Sequence, residues 1–169
     1  MASVQPCALP RGAILDAYAR DGAYTDCYGI ELPCVVTQAE FVEAFYTTAV
    51  FKLERWLIAK LLSRSSTDAE ARQLASGSLN SFSAWSVERR EPNQILLAAG
   101  RTRSWLMASP SQDASHQATN LYFGSAVVPR RADGLGRSKL GWQFGLLLGF
   151  HKLYSRVLLR AACRRLGAN

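Results

Sequence analysis

The sequence has no apolar run long enough to cross a membrane and no secretory leader pattern. Its longest nearly uncharged apolar run, LGWQFGLLLGF (140–150), is well short of the roughly 20 residues that a membrane-spanning helix needs. The N-terminal stretch has no basic segment followed by an apolar one, so no signal peptide is predicted. We therefore expect a cytoplasmic protein without a transmembrane segment.

Cysteine and histidine are few and are not spaced for metal binding. The chain has four cysteines without a C-x-x-C pair, and neither His116 nor His151 belongs to a pattern such as H-E-x-x-H. We therefore predict no metal site. In a domain large enough to bury a core, free thiols in a reducing compartment are the expected state of the cysteines. These are Cys7, Cys27, Cys34 and Cys163.

Motifs for phosphate, dinucleotide or hydrolase chemistry are also missing. GLGRSK (134–139) lacks the spacing of a phosphate-binding loop, there is no G-x-G-x-x-G, and no serine lies in a G-x-S-x-G context. The sequence therefore predicts no cofactor and names no reaction.

Acidic residues are scarce in the last third of the chain. Residues 1–100 have a balance of −2, whereas residues 101–169 have 11 Lys/Arg against 2 Asp/Glu, and together these give the net charge of +7. The excess either keeps the domain soluble or attracts an anionic partner. No zinc finger, helix-turn-helix or RRM-type signature accompanies it, so nucleic acid is not indicated. An anionic membrane surface or an acidic protein stays open as an alternative partner.

Two capping boxes mark helix starts. Thr37 with Glu40 begins a helix whose apolar residues recur helically, predicted over 38–63, and Thr67 with Glu70 begins a short helix that ends at Gly77. Alternation predicts strands at 22–32, 81–91, 94–101, 102–109 and 120–128, followed by a long C-terminal helix. Strands joined by short turns form antiparallel sheets. We predict one α+β, two-layer domain over 1–169, with 1–20 as an N-terminal extension.

The C-terminal helix is amphipathic on a helical wheel. Its cations Lys152, Arg156 and Arg160 lie on one side, and an apolar arc of roughly 140° lies on the other. We expect the apolar arc to be buried and the cations to be solvated or to contact a membrane surface. The arc contains Leu146, Leu147, Phe150, Leu153, Tyr154, Val157, Leu158 and Ala161.

Several stretches resemble an uncharacterised bacterial family of the START/Bet v 1-like (SRPBCC, polyketide cyclase-like) helix-grip superfamily. They are FVEAFYTTAVFKLERWLIAKLL, FSAWSVERREPNQILLAAG, SWLMASP, LYFGSAVV and GFHKLYSRVLLRAA, which lie between residues 41 and 162. The resemblance implies a curved antiparallel sheet of about five to seven strands wrapped on the C-terminal helix. It also implies an apolar cavity between sheet and helix that binds small apolar or amphipathic ligands, or in some relatives supports cyclase or dehydratase chemistry.

The candidate ligand-binding residues follow from that expectation. Pockets for small molecules are mostly apolar with few polar groups, and the candidate lining is Trp85, Trp105, Tyr122, Phe150, His151 and Tyr154. His151 with Tyr154 is also the candidate acid/base pair of an enzyme, although a histidine at the margin of an apolar arc is also a common structural residue.

Arg101 and Arg103 form a second candidate. They have the same parity as Trp105 and could hold a ligand carboxylate through paired hydrogen bonds, or they are ordinary surface charges. Strand periodicity alone does not decide which face of the sheet is turned inward.

Overall fold

The computed structural model describes residues 3–62, 66–111, 117–129 and 141–167, without the side chains of residues 54, 57–62 and 141–152. The fold is α+β, as predicted, with an open antiparallel sheet of seven strands and a long C-terminal helix. In chain order the elements are β1 (Gln5–Pro6), α1 (Asp16–Arg20), β2 (Tyr24–Leu32), α2 (Gln38–Tyr46), α3 (Ala49–Leu62), α4 (Asp68–Ser76), β3 (Ser81–Phe82), β4 (Trp85–Glu91), β5 (Gln94–Ala99), β6 (Thr102–Pro110), β7 (Thr119–Val127) and α5 (Gly141–Leu166).

The sheet has the order β1-β2-β7-β6-β5-β4-β3. Strands β3 to β7 form a meander in which each strand pairs with the next. The last of them, β7, also pairs with β2 along the whole length of both strands. The five predicted strands are confirmed to within a few residues, with 81–91 divided into β3 and β4. The short strand β1 was not predicted. The predicted loops are outside the described residues at 112–116 and 130–140.

The predicted single helix over 38–63 is wrong, because the helix breaks between α2 and α3. Thr47 and Thr48 turn their hydroxyl groups to the preceding carbonyls of Glu43 and Phe45, at 2.7 and 3.0 Å. The Thr48 oxygen also accepts the backbone N–H of Phe51, at 3.1 Å, and so caps the first turn of α3. Threonine side chains compete with backbone hydrogen bonds in this way, and two in succession end a helix.

Both capping boxes are confirmed. Thr37 accepts the Glu40 N–H and the Glu40 carboxylate accepts the Thr37 N–H, and Thr67 and Glu70 repeat the arrangement at α4. Gly77 ends α4 with a φ of 84°, the left-handed conformation in which glycine carries no steric penalty.

The predicted orientation of α5 is wrong. Leu153 and Val157, assigned to the buried arc, are 62% and 41% exposed, while Arg156 and Arg160 are exposed as predicted. The buried side lies roughly a third of a turn away from the predicted arc. It consists of Ser155, Leu158, Leu159, Ala162 and Cys163. The helix packs mainly on α2 and only secondarily on α3, β2 and β7, and the small residues Ser155 and Ala162 permit a close approach.

Each face of the sheet is covered over part of its area. One face packs against α2, α4 and α5 around Phe41, Phe45 and Leu106. The N-terminal segment covers the other face, where Ile14 and Leu15 pack on Trp105. The two-layer prediction did not include this second cover, and the extension 1–20 is part of the domain from residue 3 onward. In the portions of the chain that the structure describes, no helix has the length and apolar character needed to span a bilayer.

Candidate functional site

A cavity of about 240 Å³ lies between the helix-covered face of the sheet and α2, α3 and α5. Most of the side chains around it are aromatic or aliphatic, and the polar ones are serines, a threonine and a tyrosine. Among the described residues it is bordered by Phe45, Phe51, Trp85, Ala99, Thr102, Arg103, Ser104, Phe123, Ser125, Tyr154 and Leu158.

Strand alternation explains which sheet residues reach the cavity. Side chains two residues apart share a face, so Ser104 lies on the same face as the core residue Leu106, and Ser125 on the same face as Phe123. Arg103 points to the opposite face, where its guanidinium contacts the phenol of Tyr18 at 2.8 Å. Only the backbone of Arg103 therefore borders the cavity.

A cluster of aromatic rings forms the wall on the helix side. Phe45 lies 4.8 Å from Phe123 and 6.2 Å from Phe51 between ring centroids, and Phe51 lies 4.8 Å from Tyr46. Phe82 stacks on Phe51 at 6.2 Å. Interlocked rings have few alternative rotamers in a packed core, so this wall presents a rigid apolar surface.

Polar groups are concentrated at one end of the cavity. Asp26, Ser125 and Ser104 are directly opposite one another on β2, β7 and β6. Asp26 Oδ1 accepts the Ser125 hydroxyl at 2.6 Å and the Ser125 backbone N–H at 3.1 Å, and Ser104 Oγ lies 3.4 Å from the Tyr46 hydroxyl. These groups give an otherwise apolar cavity one hydrogen-bonding end.

Trp85 borders the cavity, but its indole N–H does not open onto it. Its indole Nε1 is shielded from solvent and has no hydrogen-bond partner among the described residues. A buried N–H without a partner costs about 1–3 kcal/mol, so this indole is in an unfavourable environment next to the cavity.

Two tyrosines of β2 next to this region, Tyr24 and Tyr28, have raised pKa values. Burial raises the pKa of Tyr24 to about 12, with the charge of Asp26 as a second cause. Burial likewise raises the pKa of Tyr28, although the Arg156 guanidinium over its ring at 5.6 Å acts in the opposite direction. These phenols are neutral at physiological pH and donate hydrogen bonds rather than accept protons.

The structure brings together some of the predicted site residues and separates others. Trp85 and Tyr154 line the cavity, as does the backbone of Arg103. Trp105 and Tyr122 lie on the opposite face, stacked at 6.5 Å under the N-terminal segment. The side chains of two further candidates, Phe150 and His151, lie outside the described residues.

The remaining candidate, Arg101, does not border the cavity. It is exposed and donates to the carbonyl of Val128 at 2.8 Å. Arg103 is also committed elsewhere, because it forms an ion pair with Glu88 at 2.6 Å. The two arginines therefore do not form a paired carboxylate clamp.

Sequence reasoning missed the two serines and the phenylalanines of the wall. Ser125 alternates with Leu121 and Phe123 on β7, and a serine in register with buried apolar residues is the signal that could have found it. Phe45 and Phe51 read as ordinary core residues, because their helical spacing predicts burial and nothing more.

No family model, curated protein or solved structure matches this chain. Its candidate site is therefore defined by the chemistry of its own residues. Within the described portions of the chain, no three His, Cys, Asp or Glu side chains are grouped so that they could hold a metal ion.

Proposed function

We propose that this protein binds a small, largely apolar ligand in the cavity between the sheet and the helices, without catalysing a reaction on it. We further propose that its architecture is the helix-grip arrangement of the START/Bet v 1-like superfamily. The observation that carries the proposal is the aromatic-walled cavity whose Trp85 indole N–H lacks a partner.

The volume suggests the size of the ligand. An apolar cavity of roughly 150 Å³ holds benzene, whereas sites for drug-sized molecules measure about 300–1,000 Å³. At about 240 Å³, the cavity suits a molecule with the bulk of two fused aromatic rings or a short branched chain. We propose that the Trp85 indole turns when a ligand binds, so that its unpartnered N–H reaches the cavity and favours a ligand with one hydrogen-bond acceptor.

An enzyme of the cyclase or dehydratase type remains an alternative. It would use His151 with Tyr154, and Tyr154 lines the cavity. Ser104 and Ser125 are buried and bonded to neighbouring side chains, an arrangement typical of structural hydroxyl groups. Binding therefore has the stronger support.

A pair of probes of equal shape tests the role of Trp85. Naphthalene and quinoline differ by one ring nitrogen, which can accept the indole N–H. We expect Trp85→Phe to weaken quinoline binding about 3- to 10-fold more than naphthalene binding, because both probes lose the same ring contact and only quinoline loses a hydrogen bond. Calorimetric titration measures both affinities, and an equal loss for the two probes would contradict the proposed contact.

A matched pair of substitutions tests the location. Ala99 borders the cavity, and the equally half-buried Ala98 lies on the other face of β5. Ala99→Leu should reduce naphthalene affinity at least about 10-fold by filling the cavity, whereas Ala98→Leu should not. Binding that survives Ala99→Leu would place the ligand elsewhere, and absence of binding to the unmodified protein would refute the cavity proposal for ligands of this class.

A second function, contact with an anionic membrane surface, is favoured by the outer face of α5. Exposed Leu153 and Val157 alternate there with exposed Arg156 and Arg160. Apolar and basic residues on one exposed helix face are typical of interfacial binding.

Vesicle co-sedimentation distinguishes this function from a merely solvated face. At low salt, the protein should bind vesicles that contain phosphatidylserine and not vesicles of phosphatidylcholine alone, and salt should weaken the binding. Arg156→Gln with Arg160→Gln should abolish binding, while the distant exposed variant Arg101→Gln should retain most of it. Equal sedimentation with both vesicle types would refute an electrostatic surface.

A further inference from the structure

The N-terminal segment brings two cysteines of distant sequence position together. The backbone N–H of Cys7 donates to the carbonyl of Cys27 at 3.0 Å, which extends the pairing of β1 with β2 by one residue. Their sulfur atoms lie 3.4 Å apart as a thiol–thiol hydrogen bond. Cys7 is exposed and Cys27 is buried in the cluster under the N-terminal segment.

We infer that Cys7 and Cys27 are a redox-active dithiol that closes into an intramolecular disulfide by exchange with a low-molecular-weight disulfide. Directly opposed residues on antiparallel strands have Cα atoms about 4.5–5.5 Å apart, within the span of about 4.4–6.8 Å that disulfides bridge. The sulfurs need to approach by roughly 1.4 Å to reach bonding distance, a movement within the reach of side-chain rotation.

The two thiols are not equivalent. The Cys7 thiol donates to the Cys27 sulfur when both are protonated, and the Cys27 thiol can donate in turn to a Cys7 thiolate. This second bond lowers the pKa of Cys7 and raises that of Cys27, and burial raises the pKa of Cys27 further. Cys7 is therefore the thiol that ionises first, and it is also the one that solvent reaches. An exposed thiolate next to a second cysteine is the arrangement of an attacking and a resolving thiol.

The exchange balances in two steps. The Cys7 thiolate attacks one sulfur of glutathione disulfide, forms a mixed disulfide and releases one glutathione thiolate, which takes a proton from water. Cys27 then gives its proton to solvent and attacks the Cys7 sulfur. The Cys7–Cys27 bond forms, the mixed disulfide breaks and a second glutathione leaves. The protein loses two electrons, and the reagent gains them.

The remaining cysteines have different surroundings. Cys163 is buried, and its burial raises its pKa to about 12, so its thiolate is scarce at neutral pH. Cys34 is only partly exposed and lies on the loop that follows β2, where its carbonyl accepts the Thr119 hydroxyl. Oxidation should therefore select Cys7 and Cys27.

A disulfide at this position would fasten the N-terminal segment to the sheet. The closed loop contains Leu9, Ile14 and Leu15, which cover the outer face. Restricting the unfolded chain in this way should raise the melting temperature by roughly 5–10 °C. The pair lies on the face opposite the ligand cavity, so its test does not depend on ligand binding.

The test is incubation of the full chain with glutathione disulfide, followed by unfolding in guanidinium chloride at acidic pH, capping of free thiols with N-ethylmaleimide and mass spectrometry. We expect the intact mass to fall by two hydrogens before capping, and the unfolded chain to take up two N-ethylmaleimide groups rather than four. Trypsin should yield residues 1–11 linked to residues 21–52. The second peptide holds both Cys27 and Cys34, so the Cys34→Ser variant assigns the partner.

The variants should separate the three thiols. Cys7→Ser and Cys27→Ala should abolish the crosslink and the rise in melting temperature, whereas Cys34→Ser should change neither. Dithiothreitol should reverse the oxidation. The inference is overturned if Cys7 stops at the mixed disulfide with glutathione, if it links to Cys34, or if all four thiols stay reactive in the unmodified protein. Comparison of melting temperatures before oxidation reveals any variant that has failed to fold.

Discussion

Gln94 uses both ends of its amide to join the sheet to the N-terminal segment. Its Oε1 accepts the Trp105 indole N–H at 2.9 Å and the Ile14 backbone N–H at 3.0 Å, and its Nε2 donates to the Gly12 carbonyl at 3.0 Å. The side chain is almost fully buried. One polar residue therefore satisfies a buried indole and two backbone groups of a segment that has little regular structure of its own.

Gln94→Ala should leave these groups without partners and lower the free energy of unfolding by about 2–3 kcal/mol. Urea unfolding followed by circular dichroism measures the loss. Gln73→Ala, at an exposed position of α4, is the matched control and should change stability by less than about 0.5 kcal/mol. Equal stabilities for the two variants would contradict a bridging role for Gln94.

Alternation along a strand shows which residues share a face of the sheet but not which face the helices cover. Alternation correctly separates Ser104 from Trp105, but it does not tell which of the two faces the helices. Both faces of the sheet carry buried residues. Trp105, the larger apolar residue, is a candidate for the cavity from the sequence, but it lies under the N-terminal segment. The deciding residues, Ile14 and Leu15, lie in a stretch without strong periodicity.

At the scale of elements, the sequence correctly predicts helix ends that depend on hydrogen bonds between residues within one turn of each other. The capping boxes and the Gly77 stop were predicted because each satisfies backbone groups within one turn. The face of α5 was not, because apolar residues occur around most of that helix and its packing on α2 selects among them. The exposed Leu153 is the result of that selection.

Ion pairs connect two of the helices. Asp68 at the start of α4 lies 2.5 Å from Lys52 Nζ and 2.7 Å from Arg55 Nη2 on α3. Lys52 first and Arg55 second hold the pKa of Asp68 below its ordinary value, although burial opposes them. The Arg55 side chain is only 10% exposed, so this carboxylate is its partner in a place where an unpaired charge is unfavourable.

Asp68→Asn should lower the free energy of unfolding by about 1 kcal/mol at pH 7, a value that allows for solvent screening of a partly exposed carboxylate. A depressed carboxyl pKa contributes stability above the unfolded value of about 3.9, and this contribution is lost as the pH falls through the folded value. The difference between the two proteins should therefore shrink below about pH 4.

Urea titrations from neutral to acidic pH measure that convergence. Asp16→Asn, which removes an exposed pair with Arg20 within α1, is the control and should cost less than about 0.5 kcal/mol at every pH. A constant difference between Asp68→Asn and the unmodified protein down to pH 3 would show that the charge of Asp68 is not the cause.

For the whole molecule, the sheet acts as a shared wall between two cores. The larger core lies under the helices and contains the cavity, and the smaller one lies under the N-terminal segment. Gly124 of β7 lies between Cys27 of β2 and Trp105 of β6, both of which belong to the smaller core. A methyl group there would come within 2.8 Å of both the Asp26 carbonyl and the Leu15 side chain. The close fit of Leu15 on the sheet depends on that missing side chain.

Two leucines test this arrangement of cores. Leu15 is fully buried and Leu153 is 62% exposed. Leu15→Ala should therefore lower the free energy of unfolding by about 2–4 kcal/mol, whereas Leu153→Ala should change it by less than about 0.5 kcal/mol. Denaturant titration measures both values. The reverse order would mean that α5 buries the face predicted by the helical wheel and that the N-terminal segment is only loosely attached.

The two edge strands of the sheet, β1 and β3, affect how readily another copy of the protein could pair with it. Each is only two residues long, and one of them ends in Pro6, which has no N–H to offer a neighbour. A long bare strand at a border would invite another chain to add itself and begin fibril growth. Among the described residues, β3 pairs with only the first two residues of β4, and the charged residues 88–91 that follow on β4 disfavour the addition of another chain there.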